Sequence, residues 1–281
     1  MPIYDLSYRH WNGRRTPLSS RWQPIAATGL MQHLKKRLFL FWMFLCWTPA
    51  LIGGVLIYLH TVVDIPELPG AADAGFFYNY FTAWWMTPLF LLTAVFVGAG
   101  LIANDRRTNA LQIYLSKSIR TVDYLLGKGA AVATAVGLVT LAPGLTLFFF
   151  RWGLDKEGDY LTSNPLLPFS IVAGSLLIMV TLAILSLTVS SLTKSGRVAG
   201  LTLVMLFLFS SAFQVILGFF QRDLASLISP LSNLQQGLAL LFGIRTSYHI
   251  PPVVNLIVLA GMLAVCVAVL FRRVRPVEVV R

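Results

Sequence analysis

The chain has 281 residues, of which 57% are hydrophobic and only 12% charged, whereas soluble domains carry roughly 25% charged residues. That shortfall excludes an ordinary soluble core. The remaining charge is lopsided, with 22 Lys and Arg against 11 Asp and Glu for a net of +11. Such a balance suits either nucleic acid or a membrane surface, and the positions of the charges select the membrane.

Residues 1–37 are polar and basic, without a short apolar run and cleavage site, so no removable signal peptide is expected. Within residues 20–37, Trp22, Ile25, Ala26, Leu30 and Leu34 share one helical face, and Lys35, Lys36 and Arg37 end the segment. This pattern predicts an interfacial elbow helix on the cytoplasmic side that feeds the first span. A disordered basic tail is the alternative.

A bilayer core takes ~20 consecutive apolar residues in a helix. Six segments qualify, at about 38–59, 82–103, 127–150, 169–192, 198–220 and 252–271, and Lys128 is the only charged residue in any of them. The expected fold is therefore an all-α integral membrane protein. Its divisions are a cytoplasmic N-terminal segment over 1–37, a six-helix domain over 38–271 and a basic cytoplasmic tail over 272–281. The aromatic cluster Phe76, Phe77, Tyr78, Tyr80, Phe81, Trp84 and Trp85, with Phe148 to Trp152, reads as a belt at the outer headgroups.

The loop 104–128 is the longest on the inner side. Asp105 is expected to cap a short helix there, Leu111, Tyr114 and Leu115 form an apolar edge, and Thr121 is expected to cap the helix that enters the third span. Such an edge either docks a partner or rests on headgroups. Gly98, Gly100, Gly196 and Gly200 are candidates for close helix packing.

The segment 224–244 is broken by Pro230 and carries Ser229, Ser232, Asn233, Gln235 and Gln236. Its leucines fall on one face, which predicts an amphipathic helix lying in, or dipping into, the outer leaflet. The charge distribution supports excluding it as a span. With six spans and both ends inside, the inner segments hold 18 Lys and Arg and the outer segments four, as the positive-inside rule requires. A seventh span would put Arg272, Arg273, Arg275 and Arg281 outside.

Several chemistries are absent from the sequence. It contains no GxxxxGK[ST], HExxH or GxSxG motif. Cys46 and Cys266 stand alone in apolar runs, and His10, His33, His60 and His249 are scattered, so no catalytic, cofactor or metal site is expected in this chain. No carboxylate lies deep in a span, which argues against a proton-coupled pump. Asp64, Glu67 and Asp73 are too sparsely supported for a lipid-processing enzyme.

The run Asp105-Arg106, Leu111, Tyr114-Leu115-Ser116-Lys117, Ile119, Arg120, Asp123-Tyr124-Leu125-Leu126-Gly127-Lys128 is similar to the inner-loop motif of type-2 ABC exporter permeases. Ser118 stands where proline is common in that family. Ile228-Ser229-Pro230-Leu231 resembles the family's outer re-entrant region. The resemblance covers about 20–275 and implies a permease subunit of the bacterial inner membrane. It implies pairing with a second permease, expected to be a copy of this chain, and with two ATP-binding cassette ATPases that hold the ATP and Mg. Residues 104–116 would be the coupling helix, with Asp105, Arg106, Arg107, Leu111, Tyr114, Leu115, Lys117 and Arg120 forming the loop that meets the ATPase. Membrane lipids, and no nucleic acid, are the other expected partners. Charge-free spans suit an amphipathic or lipid-like substrate. The rival classes are a non-transporting membrane scaffold or assembly factor and a secondary transporter.

Overall fold

A computed structural model describes residues 20–63, 65, 72–110, 119–155, 158–246 and 248–274. These residues form an all-helical protein, with no strand among them, and six helical stretches are long and apolar enough to cross a membrane. The first is α2 (Arg37–Thr61), entered from α1 (Trp22–Leu34) through an extended Lys36. Its 25 residues rise about 37 Å at 1.5 Å each, enough for a hydrocarbon core of about 30 Å. Pro49 lies inside α2 and cannot donate to the Leu45 carbonyl. The Thr48 hydroxyl donates to that carbonyl instead, at 2.7 Å.

The second and third stretches are interrupted. The second comprises α4 (Met86–Gly98) and α5 (Leu101–Arg107), and the third α6 (Thr121–Gly137) and α7 (Leu141–Gly153). Pro143 falls at the start of α7, where a missing N–H costs least. The Leu138 carbonyl at this interruption accepts from Trp47 Nε1 at 3.1 Å. Trp42 Nε1 donates to Thr93 Oγ1 at 2.9 Å and so ties α2 to α4. The second stretch, expected as one span over 82–103, is not continuous at Ala99-Gly100. It breaks there and resumes.

The fourth, fifth and sixth stretches are α9 (Leu167–Leu192), α10 (Gly196–Gly218) and α13 (Pro252–Arg273). Helix α9 is central and packs against α4, α5, α6, α7, α10 and α13. It buries Ser175, Thr181, Ser186, Thr188, Ser190 and Ser191, small side chains that let neighbouring helices approach closely. Helices α2, α10 and α13 keep most of their apolar surface outward, including Phe41, Leu51, Val198, Phe209, Ile257 and Val265. A soluble protein would not leave so much exposed; in a bilayer this surface meets lipid.

Helix direction alternates through the bundle, so Lys35, Lys36, Arg37, Arg106, Arg107, Arg120, Lys128, Lys194, Arg197, Arg272 and Arg273 gather at one end, the basic end. The opposite end carries α3 (Ala74–Thr82), α8 (Asp159–Ser163), α11 (Arg222–Ala225) and α12 (Pro230–Phe242).

Two expectations change at this opposite end. The aromatic belt is divided: Trp84 and Trp85 are exposed, but Phe77, Tyr80 and Phe81 are buried, because α3 folds inward against α4 and α12. The second difference concerns α12, which does not lay an apolar face on lipid with its polar face in water. It is wedged between α3, α9, α10 and α13 and buries Ser232, Asn233 and Gln236 along with its leucines. Of this polar face, Asn233 is fully engaged. Asn255 Nδ2 of α13 donates to Asn233 Oδ1 at 2.9 Å, and Asn233 Nδ2 donates to the Leu227 carbonyl at 2.9 Å. At 13 residues, α12 rises about 20 Å, too short to span.

Candidate functional site: the roots of the basic-end loop

The loop predicted to meet a partner leaves the basic end after α5 and returns at α6. Leu111, Tyr114, Leu115 and Lys117 lie outside the described residues; the two roots of the loop are described. The expected helix over 104–116 is divided at its start. Asn104 to Arg107 belong to α5, the chain turns at Thr108 and Asn109, and Ala110 is helical again. Asn109 adopts φ +57°, a left-handed conformation that asparagine tolerates better than most residues.

Asp105 is not a helix cap. It sits in the last turn of α5, where a carboxylate meets the unfavourable end of the helix dipole. What holds it there comes from α6. Lys128 Nζ lies 2.8 Å from Asp105 Oδ2, and the Tyr124 hydroxyl donates to the same oxygen at 2.8 Å. The Lys128 ammonium also stands 5.6 Å from the centre of the Tyr124 ring. Tyr124 is fully buried, and the pair's side chains are 9% and 18% exposed. Ion pairs this enclosed are strongly coupled to their surroundings. Tyr124 and Lys128 are four residues apart on one face of α6, so a single helical turn supplies both partners of Asp105.

Arg106 reaches the other way, and its guanidinium donates to the Ser191 carbonyl at the end of α9. Arg107 is exposed. Arg120 is the N-cap of α6, and its backbone N–H donates to Asp123 Oδ2 at 3.4 Å. Thr121, expected as the cap, is instead the first helical residue. Asp123 fills the capping role from the third position.

The α4–α5 break is held by α9. Ser190 Oγ accepts from Ile102 N at 3.1 Å and from Ala103 N at 3.0 Å, and it donates to the Ala99 carbonyl at 2.8 Å. Ala103 to Ala99 is a normal i→i−4 helical rung, so the Ser190 hydroxyl is inserted into that rung. Side-chain insertion of this kind is a recognised cause of helix bending.

The packing glycines lie at the same level. A β-carbon on Gly98 would stand 2.7 Å from Ser186 Cβ, one on Gly196 would stand 3.0 Å from Gly100 Cα, and one on Gly200 would stand 2.9 Å from Val95 Cγ1. Gly98 thus sets the crossing of α4 with α9, and Gly100, Gly196 and Gly200 set the crossing with α10.

The elbow α1 packs chiefly on α6. Trp22, Ile25, Leu30 and Leu34 are half-buried, and Gly29 on the same side is fully covered. A β-carbon on Gly127 would stand 2.7 Å from Ile25 Cβ and 2.8 Å from the Trp22 carbonyl oxygen. Gly127→Val is therefore expected to lift α1 from the bundle. Faster backbone hydrogen exchange over residues 22–34 would register this, while Gly153→Val, with open space around it, should leave that exchange unchanged.

The loop roots are thus braced on three spanning stretches, with the elbow laid over the same end. The family signature described as ABC-2 family transporter protein matches residues 25–275, from the elbow to just beyond α13. The chain belongs to the ABC-2 transporter family. No curated protein matches it at a significant level. As an ABC-2 protein it is a multi-pass membrane permease of an ABC transporter, a component that works with ATP-binding cassette partners. The braced residues Asp105, Tyr124 and Lys128 of this ABC-2 permease all belong to the stretch whose motif resembles the family's inner loop. Ser190 and Arg106's acceptor Ser191 lie in α9, where the sequence reading singled out nothing. The signal available there was the run Ser186, Thr188, Ser190, Ser191, an unusually polar string for the end of a span.

Proposed function

We propose that this permease is the membrane half of an ATP-driven exporter of the bacterial inner membrane. Its basic end faces the cytoplasm, it pairs with a second copy of itself, and ATP and Mg are held on two separate ATPase subunits. The orientation is supported by the collection of arginines and lysines at one end, which the positive-inside rule puts on the cytoplasmic side.

The observation that carries the coupling is the bracing of both loop roots. A docked ATPase that moves the loop would pull on Asp105 and Arg106 at one root and on Tyr124 and Lys128 at the other. Through these contacts the pull reaches the second, third and fourth spanning stretches together. A loop on loose roots would absorb the motion instead.

The test is Leu111→Asp and Tyr114→Asp in the complete complex. Each is expected to lower ATP hydrolysis coupled to the permease at least tenfold while membrane insertion stays normal. Unchanged turnover in both variants would rule the loop out as the joint.

A further inference from the structure

A cavity of about 840 Å³ opens at the basic end between the end of α1, the α4–α5 stretch and α10. Its mouth is lined by His33, Lys36, Arg107 and Arg197, with the neutral Asn104 and Ser195 beside them, and among the described residues no Asp or Glu lines it. The one carboxylate on the walls' own helices, Asp105, is turned to Tyr124 and Lys128. Among the described residues, none of Lys36, Arg107 and Arg197 is in an ion pair. His33 is half-buried at this mouth. Burial holds its imidazole below the usual value, and the Lys36 and Lys128 charges push it in the same direction against a hydrogen bond to the Gly29 carbonyl.

Away from the mouth the lining becomes apolar through Val95, Phe96, Leu201 and Val204. Val204 is seven residues along α10 from Arg197, about 10 Å deeper at 1.5 Å per residue. Leu201 is 60% exposed and Phe96 40%, so this wall opens on the outer surface of the helix bundle. The cavity thus has a cationic mouth at headgroup level continuous with an apolar wall at chain level.

We propose that this cavity is a binding site for an anionic phospholipid, with the phosphate among Lys36, Arg107 and Arg197 and the acyl chain along Val95, Phe96, Leu201 and Val204. Phosphate is the anion these donors suit, since each cation offers charge-assisted hydrogen bonds. The apolar wall distinguishes a lipid from free phosphate, which has nothing to gain from it. The site names the substrate or effector class of the exporter reading and rests on that reading only for which leaflet supplies the lipid.

The test is direct binding to the purified full chain in mild detergent, read by native mass spectrometry and titration with short-chain phosphatidylglycerol, phosphatidylcholine and inorganic phosphate. Phosphatidylglycerol should bind best. Lys36→Gln/Arg197→Gln should weaken it about tenfold or more with the unfolding midpoint unchanged, and Leu201→Trp should weaken the lipid but not inorganic phosphate. Arg272→Gln/Arg273→Gln, at the same end but outside the cavity, should do neither. Equal affinity for phosphatidylglycerol and phosphatidylcholine, or equal loss in the two arginine-bearing pairs, would reduce the effect to general surface attraction and overturn the site. Full competition by inorganic phosphate with no effect of Leu201→Trp would overturn the lipid. None of these readings involves ATP hydrolysis, so failure here and failure of the ATPase coupling are separable.

Discussion

Lys128→Ala is expected to destabilise the protein by about 3–5 kcal/mol, the usual cost of leaving one member of an enclosed ion pair without its partner. The reason lies in the geometry of Asp105. Its carboxylate is near the dipole-disfavoured end of α5 and mostly covered, and Lys128 and the Tyr124 hydroxyl hold the same oxygen. Without Lys128 the remaining charge has one neutral donor and little access to water. A loss of this size corresponds to a fall of roughly 10 °C in the unfolding midpoint for a domain of this size. The decisive comparison is Asp105→Asn/Lys128→Met. It removes both charges, keeps an acceptor for Tyr124 and preserves volume, so it should recover most of the lost stability. If the double variant is no more stable than Lys128→Ala, the ion pair is not what matters at this position. Coupled ATP hydrolysis should remain impaired in the double variant, because a rigid charged brace has been replaced by a softer contact.

Ser190→Ala is the second large effect. The variant removes three hydrogen bonds at once, two accepted from Ile102 and Ala103 and one donated to Ala99, all in a buried break of the second spanning stretch. Each backbone group left without a partner costs about 1–3 kcal/mol, and lipid offers no water to replace it. The chain has one escape. The Ala103 N–H can bond directly to the Ala99 carbonyl, closing the rung and straightening the helix. Either outcome moves Asp105 and Arg106, which lie within two turns of the break. We therefore expect both a lower unfolding midpoint and uncoupled ATP hydrolysis in Ser190→Ala, with Ser190→Thr retaining most of each because the hydroxyl is kept. Wild-type coupling in Ser190→Ala would show that the break has no part in transmission.

The contrast between these two sites and the six spans shows which physics is visible in one dimension. A hydrocarbon core imposes a length and an apolarity that no local context relaxes, so Arg37–Thr61, Leu167–Leu192 and their counterparts could be read from composition. The elbow was legible because its apolar residues repeat at helical spacing. The Asp105–Lys128 pair was hidden because the partners are far apart in the chain and meet only when the second and third stretches pack antiparallel. Asp105 read as a cap because a carboxylate beside a short helix is most often a cap; here tertiary pairing outweighed the local preference. The outer segment misled for a related reason. Ser232, Asn233 and Gln236 looked like a water-facing side, but all three are buried, and Asn255 on α13 gives Asn233 a buried partner. The helix interruptions were not read from the sequence, in which 82–103 and 127–150 read as unbroken spans; Trp47 and Ser190, which hold the breaks, come from other helices.

In the proposed exporter, energy comes from a separate ATPase bound at the permease's basic end. The most direct measurement is the subunit composition of the complex purified in mild detergent from cells producing the chain at native level. A P-loop ATPase should be retained at one copy per permease, in a particle of two of each, and should be lost when Tyr114 is changed to Asp. A chain that purifies with no nucleotide-binding subunit, yet still moves its substrate after reconstitution without ATP, would contradict it.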